Sequence, residues 1–400
     1  MRTHCVNLEK AQRMQSRCAR AHGFSLVEFM IAITLGLLLS GAAISAFVSI
    51  NGVRTSTSGN AGVADAGRYA LDGLGQALRS AGYLACVQSA KARVDLSTTL
   101  DPLLIDLAEP VSGYEYSATA PGATYTFATP VSPASAVSQW VSSAALGDQL
   151  DAAVFNAKVS GATTTGRPIA GSDVIAVHET PVGTAPVYLS ANAPSSSTQL
   201  TTTLGVSPGN TGFASVLASG TAVAVVANCQ AAEVTAISAM NGSVLTLSPS
   251  NAVASLSASY DAGAHLGLVD TLVYYVGVGS DGEGALFVLD SGSLTVFGAP
   301  VELVPDVENM QILYGVDTTG NQTVGEYVTA DQVPTDGVTG DFNSVIDVKI
   351  ALLVAAPPGS AAKPSSALTF QLLGTNITVP VDTRLRRVFT NTYALRSGAG

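Results

Sequence analysis

From Phe24 to Ile50 the chain runs through 27 positions with one ionisable residue, Glu28. As a helix this run is roughly 40 Å long at ~1.5 Å per residue, and the core of a bilayer needs only ~20 apolar residues. Beyond Ile50 the pattern turns polar without a proline. Leu71, Leu74 and Leu78 then return at helical spacing, with Arg68 and Arg79 interleaved. Six glycines between 52 and 75 oppose the helix, each costing ~1 kcal/mol relative to alanine. The expectation is a long N-terminal helix, loosened near 51 to 62, that ends near Ala81-Gly82.

The pattern then changes period. Residues 112–166 are rich in Ser, Ala, Thr and Gly, with little periodicity, and read as an irregular insertion. From 171 onward short β-branched runs recur: DVIAVHE at 173–179, TAVAVVANC at 221–229, AEVTAIS at 232–238 and SVLTLS at 243–248. They are bounded by Gly, Asn and Ser, the pattern of antiparallel strands. TLVYYVGVGSDGEGALFVLD reads as a hairpin, and VENMQILYGVDTTGNQ at 307–322 as a strand entering a turn. In SVIDVKIALLV, Ile346, Val348, Ile350, Leu352 and Val354 share one face and Asp347 and Lys349 the other, as in a half-buried strand. The fold class expected is α+β: a long N-terminal α-helix, membrane-spanning in its first half, followed by a large β-rich head with antiparallel strands.

Charge sharpens this division. Of the 400 residues only 12% are charged, and 39 are glycine, which argues against a coiled coil. Residues 1–23 carry Arg2, Lys10, Arg13, Arg17 and Arg20 against Glu9, or +4. The net charge is −11, so the remainder stands at −11 − 4 = −15. A head that acidic is a poor nucleic-acid binder, since phosphate binding needs clustered Lys and Arg. The basic leader suits a cytoplasmic flank that orients a membrane segment. An ordinary secretory signal has a core of ~7–15 residues, shorter than this run; a plain single-pass anchor is the other reading.

An acid inside a membrane-length segment is expensive and usually marks function. The stretch GFSLVEFMIA around Glu28 resembles the class III signal of type IV pilins and type II secretion pseudopilins. That resemblance implies cleavage by prepilin peptidase between Gly23 and Phe24, N-methylation of Phe24, and a mature fifth residue, Glu28, that meets the free amino terminus of a neighbouring subunit during assembly. GRYALDGLGQALRSAGYLAC at 67–86 resembles the helix-to-head junction of PilW-type minor pilins, although Leu84-Ala85 replaces the glycine often seen before the cysteine. The segments from 271 onward, with RRVFTNTYALR at 386–396, resemble the PilW-type head. The resemblance covers the first ~90 residues and about 130 at the end.

The organisation implied is a cleaved leader over 1–23, a transmembrane and assembly helix over 24–50, an amphipathic continuation over 51–82, and a β-rich head over 83–400. The implied protein is a minor pilin of the type IV pilus, with its head in the periplasm and later at the pilus or cell surface. The partners implied are prepilin peptidase, the other minor pilins and the major pilin, and the inner-membrane assembly platform. No cofactor and no enzymatic activity are expected. Two rival readings are a type II secretion pseudopilin and an adhesin or ligand-binding module on a pilin anchor, hosted in the unmatched middle.

With the leader removed, Cys86 and Cys229 remain, the number a single disulfide needs in an oxidising compartment; two separate buried thiols are the alternative. The remaining motifs read as structure. GVGSDG at 277–282 fits G-x-G-x-x-G, but the strand-like GALFVLD follows it where a dinucleotide site needs a helix. DTTGNQT at 317–323 alternates Asp317, Thr319 and Asn321, but position 12 is Val328 and not the glutamate of a calcium loop, so it reads as a turn. Only His178 and His265 lie outside the leader, in no metal-ligating cluster. Trp140 reads as core, or else as an exposed contact. Arg384, Arg386 and Arg387 read as charge partners of the acidic head.

Overall fold

The structure is a computed structural model that describes residues 25–82, 92–93, 102–105, 109–127, 133–134, 139–142, 165–181, 187–203, 211–248, 255–294, 297–334 and 342–395. The chain divides into two units, Met1–Arg54 and Thr55–Gly400.

Helix α1 runs unbroken over Leu26–Ser80. Ser25 starts it: its hydroxyl accepts the Val27 amide at 3.3 Å and its carbonyl accepts Phe29 N–H at 3.0 Å. Arg79 lies in the last turn, where a cation suits the helix dipole. Gly82 follows at φ 66°, a left-handed conformation that ends helices at little cost to glycine. The expected loosening near 51 to 62 does not occur.

In the second unit, the described strands form four sheets. A six-stranded antiparallel sheet has the order β14 (Val301–Pro305), β13 (Gly284–Asp290), β12 (Asp270–Val278), β5 (Val174–Glu179), β2 (Val111–Tyr116), β4 (Trp140–Val141). A four-stranded antiparallel sheet has the order β16 (Glu326–Val328), β15 (Val307–Val316), β17 (Val345–Ala355), β20 (Arg386–Ala394). A three-stranded sheet joins β18 (Leu368–Leu372), β19 (Thr375–Val379) and, in parallel, β3 (Thr124–Thr126). A seven-stranded sheet has the order β6 (Val187–Tyr188), β11 (His265–Leu268), β8 (Ala222–Ala227), β9 (Ala232–Asn241), β10 (Val244–Leu247), β7 (Gln199–Thr201), with β1 (Ala92–Arg93) on β9.

The largest core lies between the second half of α1 and the six- and four-stranded sheets. Val63, Leu71, Leu74 and Leu78 meet Val177, Val276, Ile312, Val348, Ile350 and Leu352 there. A second core, around Tyr114, Tyr116, Trp140, Val225 and Tyr275, joins the six- and seven-stranded sheets.

Two expectations are revised. Strand β17 is half-buried only at its start, whereas Ile350–Ala355 is buried throughout. The three-stranded sheet covers its second face, packing Leu372, Ile377 and Val379 on Ala351 and Leu353. The stretch read as irregular from 112 opens inside β2, which is buried at every position and sits between β5 and β4. Val111 feeds the first core and Tyr114 and Tyr116 the second, so both faces of the strand are covered despite its Ser, Gly and Glu.

Candidate functional site

In the first unit, Gly23 and Phe24 lie outside the described residues. Glu28 is in the first turn of α1, where a carboxylate complements the positive end of the helix dipole. It is the only ionisable residue from Phe24 to Val53. Every large apolar side chain from Leu26 to Val53 is between 45% and 75% exposed. The most apolar 18-residue window has a mean hydropathy of 2.2 with none of it buried, so the helix is long and apolar enough to cross a membrane. Two hydroxyls within it bond back to the helix itself: Thr34 Oγ1 donates to the Ile31 carbonyl at 2.9 Å and Ser40 Oγ to the Gly36 carbonyl at 2.8 Å. Side chains satisfied this way can sit in hydrocarbon without water. The segment is therefore apolar all round and marked by one acid near its start.

The second unit holds the other half of α1 by a different device. Gly59, Gly67 and Gly75 recur every eight residues and are buried. A Cβ on Gly67 would lie 2.5 Å from Cδ2 of Phe389, and one on Gly75 would penetrate the ring of Tyr393 still further. Eight helical residues rise ~12 Å, and the four strand steps from Phe389 to Tyr393 span ~13 Å. Two aromatic rings of β20 therefore fall in register with two glycine seats. Tyr393 Oη also donates to the Leu71 carbonyl at 2.5 Å. At the helix end, Ser80 Oγ donates to Glu179 Oε2 at 2.5 Å and Gly82 N–H to the His178 carbonyl at 2.9 Å. Burial pushes the Glu179 carboxyl up. Three of the glycines read in the sequence as weakening the helix, Gly59, Gly67 and Gly75, are in this half its packing surface, and their eight-residue period was the available signal.

The remaining motifs take structural roles. GVGSDG closes the β12–β13 hairpin, with Gly279 N–H on the Glu283 carbonyl at 2.6 Å and Gly282 at φ 83°. Asp317 accepts the amides of Thr319, Gly320 and Asn321 on Oδ1 and of Gln322 on Oδ2, which makes the segment a turn. These backbone donors hold its carboxyl below the usual range. His178 is fully buried, with its ring nitrogens 2.7 Å from the Glu109 carbonyl and 2.8 Å from that of Leu103. Trp140 is core: its indole donates to the Ser172 carbonyl at 2.8 Å and its ring meets Tyr116 edge-on at 5.5 Å. Arg384 pairs with Glu283 and Asp306, and Arg386 with Glu308 and Asp382, as expected of charge partners. Cys229 is disulfide-bonded, while Cys86 lies outside the described residues.

The comparisons agree with the two ends of the chain. Residues 18–44 match the prokaryotic N-terminal methylation motif. Residues 273–397 match the family described as Type IV Pilus-assembly protein W; this stretch runs from β12 to just past β20 and includes both rings seated on α1. No curated protein matches the chain. Among solved structures, a type IV-like pilin from Thermus thermophilus is 18% identical and aligns over 47% of this chain and 96% of its own, at a TM-score of 0.22, too low to bear on the argument. The chain is thus similar to the prokaryotic N-terminal methylation motif at one end and to the pilus-assembly protein W family at the other.

Proposed function

We propose that this protein is a minor pilin that prepilin peptidase cuts between Gly23 and Phe24 and methylates on Phe24, and that then takes part in priming or extending a type IV pilus. The observation that carries the reading is the methylation motif over residues 18–44 laid on a helix with no covered residue from Leu26 to Val53. Exposed apolar surface on that scale belongs in a bilayer or against other helices. Glu28 is then the assembly residue: a carboxylate is tolerated among packed helices when a partner neutralises it, and the methylated amino terminus of a neighbouring subunit supplies the cation. The basic leader keeps residues 1–23 in the cytoplasm and sends the head to the periplasm. There an oxidising medium joins Cys229 to Cys86, the other cysteine beyond the leader. The other minor pilins, the major pilin and the assembly platform are the partners in this scheme, and the PilW region at 273–397 favours it over a type II secretion pseudopilin.

Mass spectrometry of the protein from its native membranes tests this. A mature chain that begins at N-methylated Phe24 is expected, and one that begins at Met1 or was cut near Ala42 refutes the reading. Glu28→Ala should be processed normally yet be absent from sheared pili, whereas normal incorporation removes the assembly role.

A further inference from the structure

Two carboxyl side chains meet where the six- and four-stranded sheets join. Glu115, on β2, is 3% exposed, and Asp173, just before β5, is 1% exposed. Asp173 is bonded to the amide of Tyr116, the residue after Glu115, which makes the two carboxyls neighbours. Asp173 Oδ1 accepts the Tyr116 amide at 3.1 Å from its own sheet, and Oδ2 accepts the Ile312 amide at 2.8 Å from β15 in the other. Glu115 Oε1 accepts Thr119 Oγ1 at 3.3 Å.

Among the described residues, the surrounding elements bring no cation. The 3-10 turn Ala330–Gln332 contributes Asp331, held by Thr329 Oγ1 and Gln332 Nε2. Strand β15 contributes Tyr314, whose buried phenol oxygen has no partner and abuts Gly113. Strand β2 adds Tyr114 and β4 adds only Trp140 and Val141. None of the ion pairs among the described residues involves Glu115 or Asp173. Two neighbouring carboxyls shielded from water, with no cation beside them among the described residues, are costly to ionise together, and a proton held between them relieves that cost.

The same junction carries a dense polar seam. Asp173 N–H donates to the Met310 carbonyl at 2.9 Å, Met310 N–H to Ser172 Oγ at 3.1 Å, and Asn309 Nδ2 and Gln311 Nε2 to the Gly171 carbonyl at 2.5 and 3.0 Å. We propose that the proton shared by Glu115 and Asp173 latches the two sheets together, and that its loss in alkaline medium loosens the head at the Gly171–Asp173 seam. Burial pushes both carboxyls up from the usual range, and for Glu115 the charge of Asp173 adds to it. A group protonated in the fold and ionised in the unfolded chain stabilises most below the ordinary carboxylate range. That contribution is lost progressively as the pH rises through the folded value.

The test is urea unfolding of the full chain in detergent micelles between pH 5 and 9, followed by the fluorescence of Trp140, which is bonded to the seam. Asp270 also has a raised carboxyl pKa, about 7, through burial, so every chain compared carries Asp270→Asn. The parent should lose stability as pH rises. Glu115→Gln keeps a donor toward Asp173 and should lose up to one proton of that slope, a tenfold smaller change in the unfolding constant per pH unit. Equal slopes in the two chains overturn the proposal. If Glu115→Gln does not fold, infrared titration of the parent decides: a buried protonated carboxyl band that persists at pH 7 and vanishes in alkali supports it, and no such band overturns it.

Discussion

Gly73 and Gly75 are two residues apart on one helix, yet alanine should act in opposite directions at the two. At Gly73 nothing lies within 4 Å of a new Cβ. Alanine there gains only the helix-propensity difference and should stabilise by roughly 0.5–1 kcal/mol. At Gly75 the same gain applies, but the new methyl overlaps the ring of Tyr393. Tyr393 is only 4% exposed, so the ring has nowhere to retreat without disturbing the core. Overpacking of this kind costs about 1–3 kcal/mol, and displacement of the bond from Tyr393 Oη to the Leu71 carbonyl adds ~1 kcal/mol. The net expectation is destabilisation by about 1–3 kcal/mol, so the two variants should differ by roughly 2–4 kcal/mol. Equilibrium urea unfolding of the full chain in detergent reads this directly. Combining Gly75→Ala with Tyr393→Ala completes a double-mutant cycle: once the ring is gone the clash is gone, and the alanine should cost far less than in the parent. Shifts of the same sign and size at 73 and 75, or additive effects in the cycle, would refute the idea that glycines 67 and 75 are seats for β20 rings.

Two further outcomes follow from the polar groups. Arg386 forks onto both oxygens of Glu308, at 2.6 and 3.0 Å, with the two side chains 3% and 7% exposed. Arg386→Ala leaves that buried carboxylate only Arg384, 3.9 Å away, and should cost about 3 kcal/mol, while Arg386→Met with Glu308→Leu should recover most of the loss in the same unfolding assay. Asp317→Ala should leave the head folded but raise hydrogen exchange at Thr319, Gly320, Asn321 and Gln322. Because these donors lower the Asp317 carboxyl, wild-type protection should hold from neutral pH through mild acid and fail only below the ordinary carboxylate range.

Strands whose pattern is carried by their own residues were legible. The runs at 173–179, 221–229, 232–238 and 243–248 form β5, β8, β9 and β10, and the hairpin after 271 forms β12 and β13. What could not be read depends on a distant segment. Alternation from Ile346 to Val354 describes one face of β17. The second face is buried because β18 and β19, at Leu372 and Ile377, fold over Ala351 and Leu353; the near-continuous apolar run IALLVAA was the local hint of burial on both sides. Glu115 lies in a stretch whose Ser, Ala, Thr and Gly show little periodicity, so nothing local marks β2 as buried. Its partner, Asp173, lies 58 positions away and three strands of context are needed to bring the two together. The methylation motif over residues 18–44 was the reverse case, a contiguous signal that needed no tertiary information.

A single helix here is written for two solvents. From Leu26 to Val53 it has one ionisable residue and large apolar side chains on every face, which suits hydrocarbon or a sheath of other helices and suits water badly. From Thr55 to Ser80 it is amphipathic: Asp65, Arg68, Asp72 and Arg79 are exposed, and Gly59, Val63, Gly67, Leu71, Leu74 and Leu78 are buried. The first charge after Glu28 is Arg54, where the two units divide. Helix-favouring composition alone cannot explain both halves, because glycine is the residue least favourable to a helix after proline. Glycine is kept at 59, 67 and 75 because a neighbouring side chain fills the space of the missing Cβ there, and the packing offsets the propensity cost. At 36, 41 and 52 no side chain of the chain itself approaches within 4 Å. Glycines without a neighbour in an exposed apolar helix permit close approach by another backbone. The intramolecular use of glycine in the second half is thus the pattern to expect between molecules in the first, and large side chains at Gly36 or Gly41 should impair assembly while leaving the fold of the head unchanged.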